Sequence, residues 1–492
     1  MTAPLTLADE RGLKGLSLDS RVRQLFYSLP PEKLKDLAQR VPQEARNHQL
    51  IYVRDGKEDV INILLRPLAV MPDQVAYFHV VSLAIVNALK RLPDLYIQDF
   101  AIREVVPLQP DEEKFLWDCW HQSHRENNPV FGRLDAMVDF TSPMWKDSLN
   151  FVEPNLSGVG GIHLVPNCEQ VLADTVLPTL QELAPDLHLE PGLDLREMFI
   201  QEMLDHLEYI GRPEGAICFI DPKYSGDGPI ELEPLMEYYR ETRGLNVVHA
   251  DPSELYVRGG EVWHEDTKVD VGYRDYEMRD LLYMEKEEGL DIRPMKILFR
   301  ENRIVSSLAG DFDHKSTWEI LTDPRFTEKY FTADDRRYFK RHVMWTRVVK
   351  DRRTTDPDGD PIDLLEFMRK NQDILVMKPN RSYGGDRILL GPLMEESDWE
   401  AAIQSALHSD EDWVAQRLAR ISVNEFPVVA ADSSVHVEPF YTVMGFAPTK
   451  YGVAVLGRAS QKQVVNVAQR GGMCAVLVGR YGKALHGPGR AR

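Results

Sequence analysis

Two short segments, 131–140 and 149–155, constrain the fold of this 492-residue chain more than any other feature. Each is partly apolar and strand-like, and a polar loop carrying Ser142, Pro143, Lys146 and Asp147 joins them, so they read as an antiparallel pair. Side chains two apart share a face of a strand. Arg133 and Asp135 thus share one face, Glu153 and Asn155 share another, and the register that sets residue 133 opposite 155 also sets Asp135 opposite Glu153. Like charges across a ladder cost roughly 0.2–1 kcal/mol. A hard divalent cation between them reverses that sign, because Mg²⁺ takes one or two carboxylates together with nucleotide phosphates. The alternative is a pair of solvated strand residues.

Composition narrows the setting. Hydrophobic residues make up 43% and charged residues 28%, as in a soluble globular protein of two to four domains or one large enzyme fold. Lys plus Arg number 58 against 78 Asp plus Glu, a net charge of −20 that repels a phosphate backbone, so nucleic acid is excluded as a general partner. The N-terminus has no basic segment followed by an apolar one, and 75–92 is interrupted by His79, Ser82, Asn87, Lys90 and Arg91, so neither a secretory signal nor a membrane partner is expected. Cys119, Cys168, Cys218 and Cys474 are scattered without a CxxC and read as buried thiols of a cytoplasmic protein.

From Ser17 to about Pro107 the pattern is mostly helical, with its clearest case at 74–92, entered at Pro72-Asp73 and stopped by Pro93. A further helix-like stretch covers 111–125. Short apolar runs follow at 136–140, 148–153, 216–220, 246–249, 295–299, 374–377, 388–390, 413–415, 435–440 and 452–457, interleaved with helical segments at 169–183, 194–209, 231–243, 316–321, 361–370 and 397–406. That alternation predicts an α/β or α+β enzyme core. The acidic stretch 351–360 reads as an exposed loop.

A second chemical element is the apolar run 374–377, which delivers Lys378 to a strand end, where Pro379 stops the ladder and the pair Gly384-Gly385 follows. Such a loop brings backbone N–H groups against phosphate oxygens; a solvated lysine cap is the alternative. No GxxxxGK[ST] occurs, and Gly158-Val159-Gly160-Gly161 is not a GxGxxG. The run 356–360 imitates a calcium loop, but Pro361 stands where glycine is needed and Phe367 where glutamate is needed. His121 and His124 have no third ligand at metal spacing, and no GxSxG is present, so nucleophilic catalysis has no support.

Taken in order, these motifs resemble the circularly permuted ATP-grasp ligases, the superfamily of glutathionylspermidine synthase. The resemblance runs from about Arg133 to Leu477. It rests on Arg133-Leu134-Asp135, Glu153-Pro154-Asn155, Asp270-Val271-Gly272-Tyr273-Arg274, Asp313-His314-Lys315, Val376-Met377-Lys378-Pro379 with Gly384-Gly385, Trp413-Val414-Ala415-Gln416, His436-Val437-Glu438-Pro439-Phe440 and 464–472. It implies a circularly permuted ATP-grasp core beside a mainly helical N-terminal region (1–110). Residues 111–310 would form the metal- and substrate-binding half and 311–492 the ATP-binding half.

The activity so implied uses ATP to phosphorylate a carboxylate, and an amine then attacks the acyl phosphate to form an amide. Asp135, Glu153 and Asn155 would hold Mg²⁺. Lys315 and Lys378 would contact ATP phosphates beneath the Gly384-Gly385 loop, Gln416 or its neighbours would border the adenine, and Arg133 and Arg458 would steady the transferring phosphoryl group. Phosphoryl transfer depends on positioning and charge neutralisation, which suits such a set. The partners implied are a small-molecule or peptide carboxylate and an amine, with self-association left open.

The chain departs from the pattern in places. Pro154 requires its strand to end there or lie at an edge, and Ser157–Gly161 replaces the more acidic continuation of some relatives. No cysteine stands upstream of Asp111 for the thiol amidase that some glutathionylspermidine synthases carry, and 63 positions separate Lys315 from Lys378, suggesting an insertion around 351–360. The glutathione and spermidine substrates are therefore not carried over. A competing expectation is a nucleotide-binding scaffold that keeps the fold without the chemistry.

Overall fold

The computed structural model describes residues 17–480 except 143, 225–227, 383–386, 431 and 463–470. In chain order, the strands that position the site are β1 (Arg133–Met137), β2 (Asn150–Asn155), β3 (Ala216–Ile220), β4 (Val247–Ala250), β5 (Thr267–Arg274), β6 (Ile304–Val305) and β7 (Thr346–Val348). They continue with β8 (Leu375–Pro379), β9 (Leu389–Leu390), β10 (Trp413–Arg417), β11 (Ser422–Val429), β12 (Val435–Thr449), β13 (Gly452–Ser460) and β14 (Gly472–Cys474).

These strands belong to three of the sheets. One, of six strands, is antiparallel in the order β14-β13-β12-β1-β2, with β11 also on β12. A second has a parallel core β6-β5-β3-β4, extended at the β5 edge by the hairpin Leu255–Arg258 and Glu261–His264. A small antiparallel sheet, β7-β10-β8-β9, is backed by the helices Leu364–Lys370 and Glu396–Leu407 through Leu364, Met368, Trp399 and Ile403. In β1 and β2, Leu134, Ala136 and Phe151 enter the main core, where Phe446 meets Phe78 at 5.0 Å and Phe151 at 5.7 Å between ring centroids. Each such large side chain removed from water contributes about 1.5–3 kcal/mol, and that burial holds the opposite face of β1 outward, toward the site.

The helix Pro72–Leu89 begins with Pro72 and is capped by Gln74 Oε1, which accepts from the Met71 amide at 2.8 Å. It ends before Lys90, and Pro93 opens the next helix, Leu92–Gln98, rather than merely stopping the first. By length and a mean hydropathy of 1.3 the stretch Pro72–Gln98 matches a membrane-crossing helix. Phe78, Val81, Ile85 and Leu89 are packed in the main protein core.

Two sequence expectations are corrected. The run 295–299 is part of a helix, Arg293–Arg300, because Pro294, Met295, Leu298 and Phe299 are buried at helical spacing. The stretch 351–360, read as a loop, contains the first strand of a hairpin, Arg353–Thr355 with Pro361–Asp363; 356–360 is the acidic turn between them, in which Asp356 Oδ1 accepts from the amides of Asp358, Gly359 and Asp360, each at 2.9 Å. All four cysteines are buried and unpaired.

Candidate active site

β1 and β2 pair in the register the sequence predicts, Arg133 with Asn155, Leu134 with Pro154 and Asp135 with Glu153. The ladder then slips, Ala136 meeting Phe151, so Val152 is an extra residue on β2. β2 is the edge strand of its sheet, met beyond by a single bridge from Phe151 to Val343, which accommodates Pro154.

Three cations converge on the two carboxylates, and a fourth, Lys378, stands beside them. Arg133 Nε donates to Asp135 Oδ1 at 3.1 Å and its NH1 to the Gly160 carbonyl at 2.6 Å. Arg458, from β13, places NH2 2.6 Å from Asp135 Oδ2, while its Nε is buried without a partner among the described residues. Lys315, just before the helix Thr317–Thr322, lies 3.1 Å from Glu153 Oε1 and donates to the Ser382 carbonyl at 2.5 Å. Lys378, at the end of β8, donates to Gln416 Oε1 at 2.9 Å and meets no carboxylate within ion-pair distance among the described residues. Gln416 is in turn held by Val152, whose carbonyl accepts from Nε2 at 3.1 Å, and by Thr346 Oγ1 at 3.0 Å. Asn155 donates through Nδ2 to the Arg133 carbonyl at 3.2 Å.

The electrostatics follow from this crowding. Burial raises the Asp135 carboxyl, but Arg458 and Arg133 outweigh it and hold the pKa below the ordinary carboxylate value. Burial drives the Lys378 ammonium down to about 8, with Lys315 pushing the same way and Glu153 opposing. Among the described residues, Arg133, Arg458 and Lys315 meet Asp135 and Glu153, and Lys378 stands beside them, while Glu231 and Asp275 add negative charge on the Arg133 side. Both Asp135 oxygens are already held by guanidinium groups, so a metal here must share them, and Glu153 Oε2 and Asn155 Oδ1 accept no hydrogen bond among the described residues.

The structure thus brings together Arg133, Asp135, Glu153, Asn155, Lys315, Lys378, Gln416 and Arg458. Gly384 and Gly385, and 464–470 of the last motif, lie outside the described residues. Sequence reasoning missed several neighbours. Met137, Val152, Met344 and Ala419 form a small apolar cluster on the site side of β1 and β2, next to the bonds that Gln416 makes. Met137 shares the period-two face of Asp135 and could have been found; Val152 joins only because of the bulge. Asn380 links the two lysine elements, its carbonyl accepting from the Lys315 amide at 3.1 Å and its Oδ1 from the Ser316 amide at 2.8 Å. Gly445, opposite Asp135, is required because a Cβ there would stand 2.5 Å from Arg133 Cδ.

No family model matches the sequence, and no curated protein matches it. Among solved structures, the chain is similar to a glutathione synthetase-like effector from Globodera pallida in its apo form, with a TM-score of 0.56 and 11% identity over 91% of this chain and 97% of that one. A RimK domain ATP-grasp protein from Sphaerobacter thermophilus aligns with a TM-score of only 0.24 and 14% identity, over 52% of this chain and 95% of that one. The first likeness spans nearly the whole of both chains and is one of fold: the chain has the α/β, ATP-grasp-like architecture expected from its motifs.

Proposed function

We propose that the chain is an ATP- and Mg²⁺-dependent carboxylate–amine ligase of the circularly permuted ATP-grasp type, forming an amide through an acyl phosphate. The observation that carries this reading is Lys378, a buried ammonium bonded to a neutral amide and to no carboxylate among the described residues. Burying a charge without a direct ion-pair partner costs several kcal/mol, and a phosphate would supply such a partner. Lys315 and Lys378 would hold ATP phosphates, Met137, Val152, Met344 and Ala419 would pack the base beside Gln416, and Asp135, Glu153 and Asn155 would hold magnesium. The ion, when bound, neutralises charge on the transferring phosphoryl group. Arg133 and Arg458, fixed on Asp135, orient the carboxylate substrate and steady charge as it moves. Four buried thiols support a reducing, cytoplasmic setting.

The test incubates purified protein with ATP, Mg²⁺ and a panel of α-amino acids and di- and tripeptides that supply both carboxylate and amine, reading phosphate release and product mass. The ligase reading expects release that needs both substrates and is abolished in Glu153→Gln, with the variant's circular dichroism unchanged. ATP binding without any turnover across the panel would instead support a nucleotide-binding scaffold, and no nucleotide binding at all would remove the reading.

A further inference from the structure

The parallel sheet has a reversal of strand order beside the cation cluster. β4 lies on one side of β3 and the later β5 on the other, so the crevice outside the carboxyl ends of β3 and β5 is the switch point at which open α/β sheets bind ligands. Asp221 is the first residue after β3 and Asp275 the first after β5, and the Asp275 amide donates to the Ile220 carbonyl at 2.8 Å, tying the two ends together. The loop Ser157–Gly161 closes the crevice on the side of Arg133, whose NH1 is bonded to Gly160. At Gly158, with φ of +61°, a Cβ would stand 2.7 Å from Asp275 Oδ1, so only glycine lets the loop approach that carboxylate.

Three carboxylates face this space, and they are not equivalent. Glu231 is committed to the loop, accepting from the amides of Gly161 at 2.7 Å, His163 at 3.0 Å and Leu164 at 3.2 Å. Asp221 Oδ1 is paired with His249 Nε2 at 2.6 Å. The Asp275 carboxylate has no hydrogen-bond partner among the described residues and remains partly exposed. Beside it, Tyr273 is 1% exposed and its hydroxyl meets no well-aligned partner, a buried polar group left for a ligand.

We propose that Asp275 is the general base of the amide-forming step, accepting a proton from an ammonium nucleophile that enters the crevice at the carboxyl ends of β3 and β5. The assignment rests on the ligase reading and adds to it the path and the proton acceptor of the amine. In the step, the R–NH₃⁺ group gives one proton to the Asp275 carboxylate and its freed lone pair attacks the acyl carbon. The C–N bond forms, the C–O bond to phosphate breaks, and the phosphate leaves with that electron pair, taking the second nitrogen proton; Asp275 later returns its proton to water. Burial, Glu231 and Asp221 raise the Asp275 carboxyl to about 7 against the opposing pull of Arg133, which suits a base working near neutral pH.

The experiment compares wild type, Asp275→Asn and Asp275→Glu, using the carboxylate and amine that the panel selects and, separately, hydroxylamine in place of the amine. Hydroxylamine is largely neutral near pH 7 and needs little help from a base. In Asp275→Asn, amide formation falls by about 10²–10⁴-fold while hydroxamate formation falls by less than about tenfold, and Asp275→Glu restores much of the loss. The wild-type amide rate rises with pH through about 7, a limb absent from Asp275→Asn. Equal losses with both nucleophiles, or no loss with either, overturn the role of Asp275 and leave the ligase reading standing. A wild type that forms neither ADP nor hydroxamate overturns both. Should Asp275→Asn not fold, a wild-type amide rate flat across pH 6 to 8 refutes the assignment by itself.

Discussion

Replacing Lys378 with methionine removes a charge while keeping most of the side-chain volume. Lys378 is 8% exposed, and burial lowers its ammonium from an ordinary 10.5 to about 8. A lysine depressed in the folded state is charged in both states at neutral pH, so its penalty is in full force there and fades only as pH rises from about 8 to 10.5. That gap corresponds to roughly 3 kcal/mol. The lost hydrogen bond to Gln416 offsets about 1 kcal/mol, which leaves Lys378→Met more stable than wild type by roughly 2 kcal/mol at neutral pH without nucleotide. In a chain of this length that is a rise in melting temperature on the order of 2 °C. Added ATP and Mg²⁺ should do the reverse, stabilising wild type by about 2.7 kcal/mol at a hundred times Kd and the variant little. Scanning calorimetry with and without nucleotide, comparing the first transition because the chain has several sheets and cores, measures both effects. A variant that melts below wild type in the absence of nucleotide, or that gains the same nucleotide shift, refutes the reasoning.

Glu169 offers a pH test remote from the site. Burial, opposed by the Gly192 amide bonded to Oε2 at 2.8 Å, raises its carboxyl from 4.5 to about 8. The unfolded chain ionises first, so this group lowers stability progressively between about pH 4.5 and 8. Glu169→Gln should overtake wild type in melting temperature above about pH 5 and stop gaining near pH 8; curves that stay parallel across that range would contradict it. Gly445→Ala drives a methyl group against Arg133 and should shift that guanidinium from Asp135 and Gly160. It should cost about 1–3 kcal/mol in denaturant unfolding and lower kcat/KM for ATP at least tenfold by order of magnitude; unchanged turnover would show that Arg133 is not held in place by this contact.

The β1–β2 pair was legible because two local rules, alternation along a strand and charge pairing across it, act on neighbouring stretches of sequence. The bulge at Val152 was not, since nothing in Phe151-Val152-Glu153 marks an extra residue, and the apolar cluster around Gln416 depends on it. In 295–299, a short apolar run suits helix or strand equally, and burial at Met295, Leu298 and Phe299 decides for helix. The N-terminal region also contains a hairpin, Ile51–Arg54 with Lys57–Val60, turned by Asp55 and Gly56 at φ of 50° and 69°; the Asp-Gly signal was there to be read. Asp221 and Asp275 stand far apart in sequence and meet only because β3 and β5 pair in parallel, a contact that no local pattern announces.

The most direct measurement is a crystal structure of the full chain with a non-hydrolysable ATP analogue and Mg²⁺. The cation cluster predicts phosphate oxygens within hydrogen-bond distance of Lys315 Nζ and Lys378 Nζ, the base against Val152, Met344 and Ala419, and the ion on Glu153 with Asp135 or Asn155. A nucleotide bound elsewhere, or a site that keeps Lys378 on Gln416 with no anion beside it at saturating nucleotide, would contradict it.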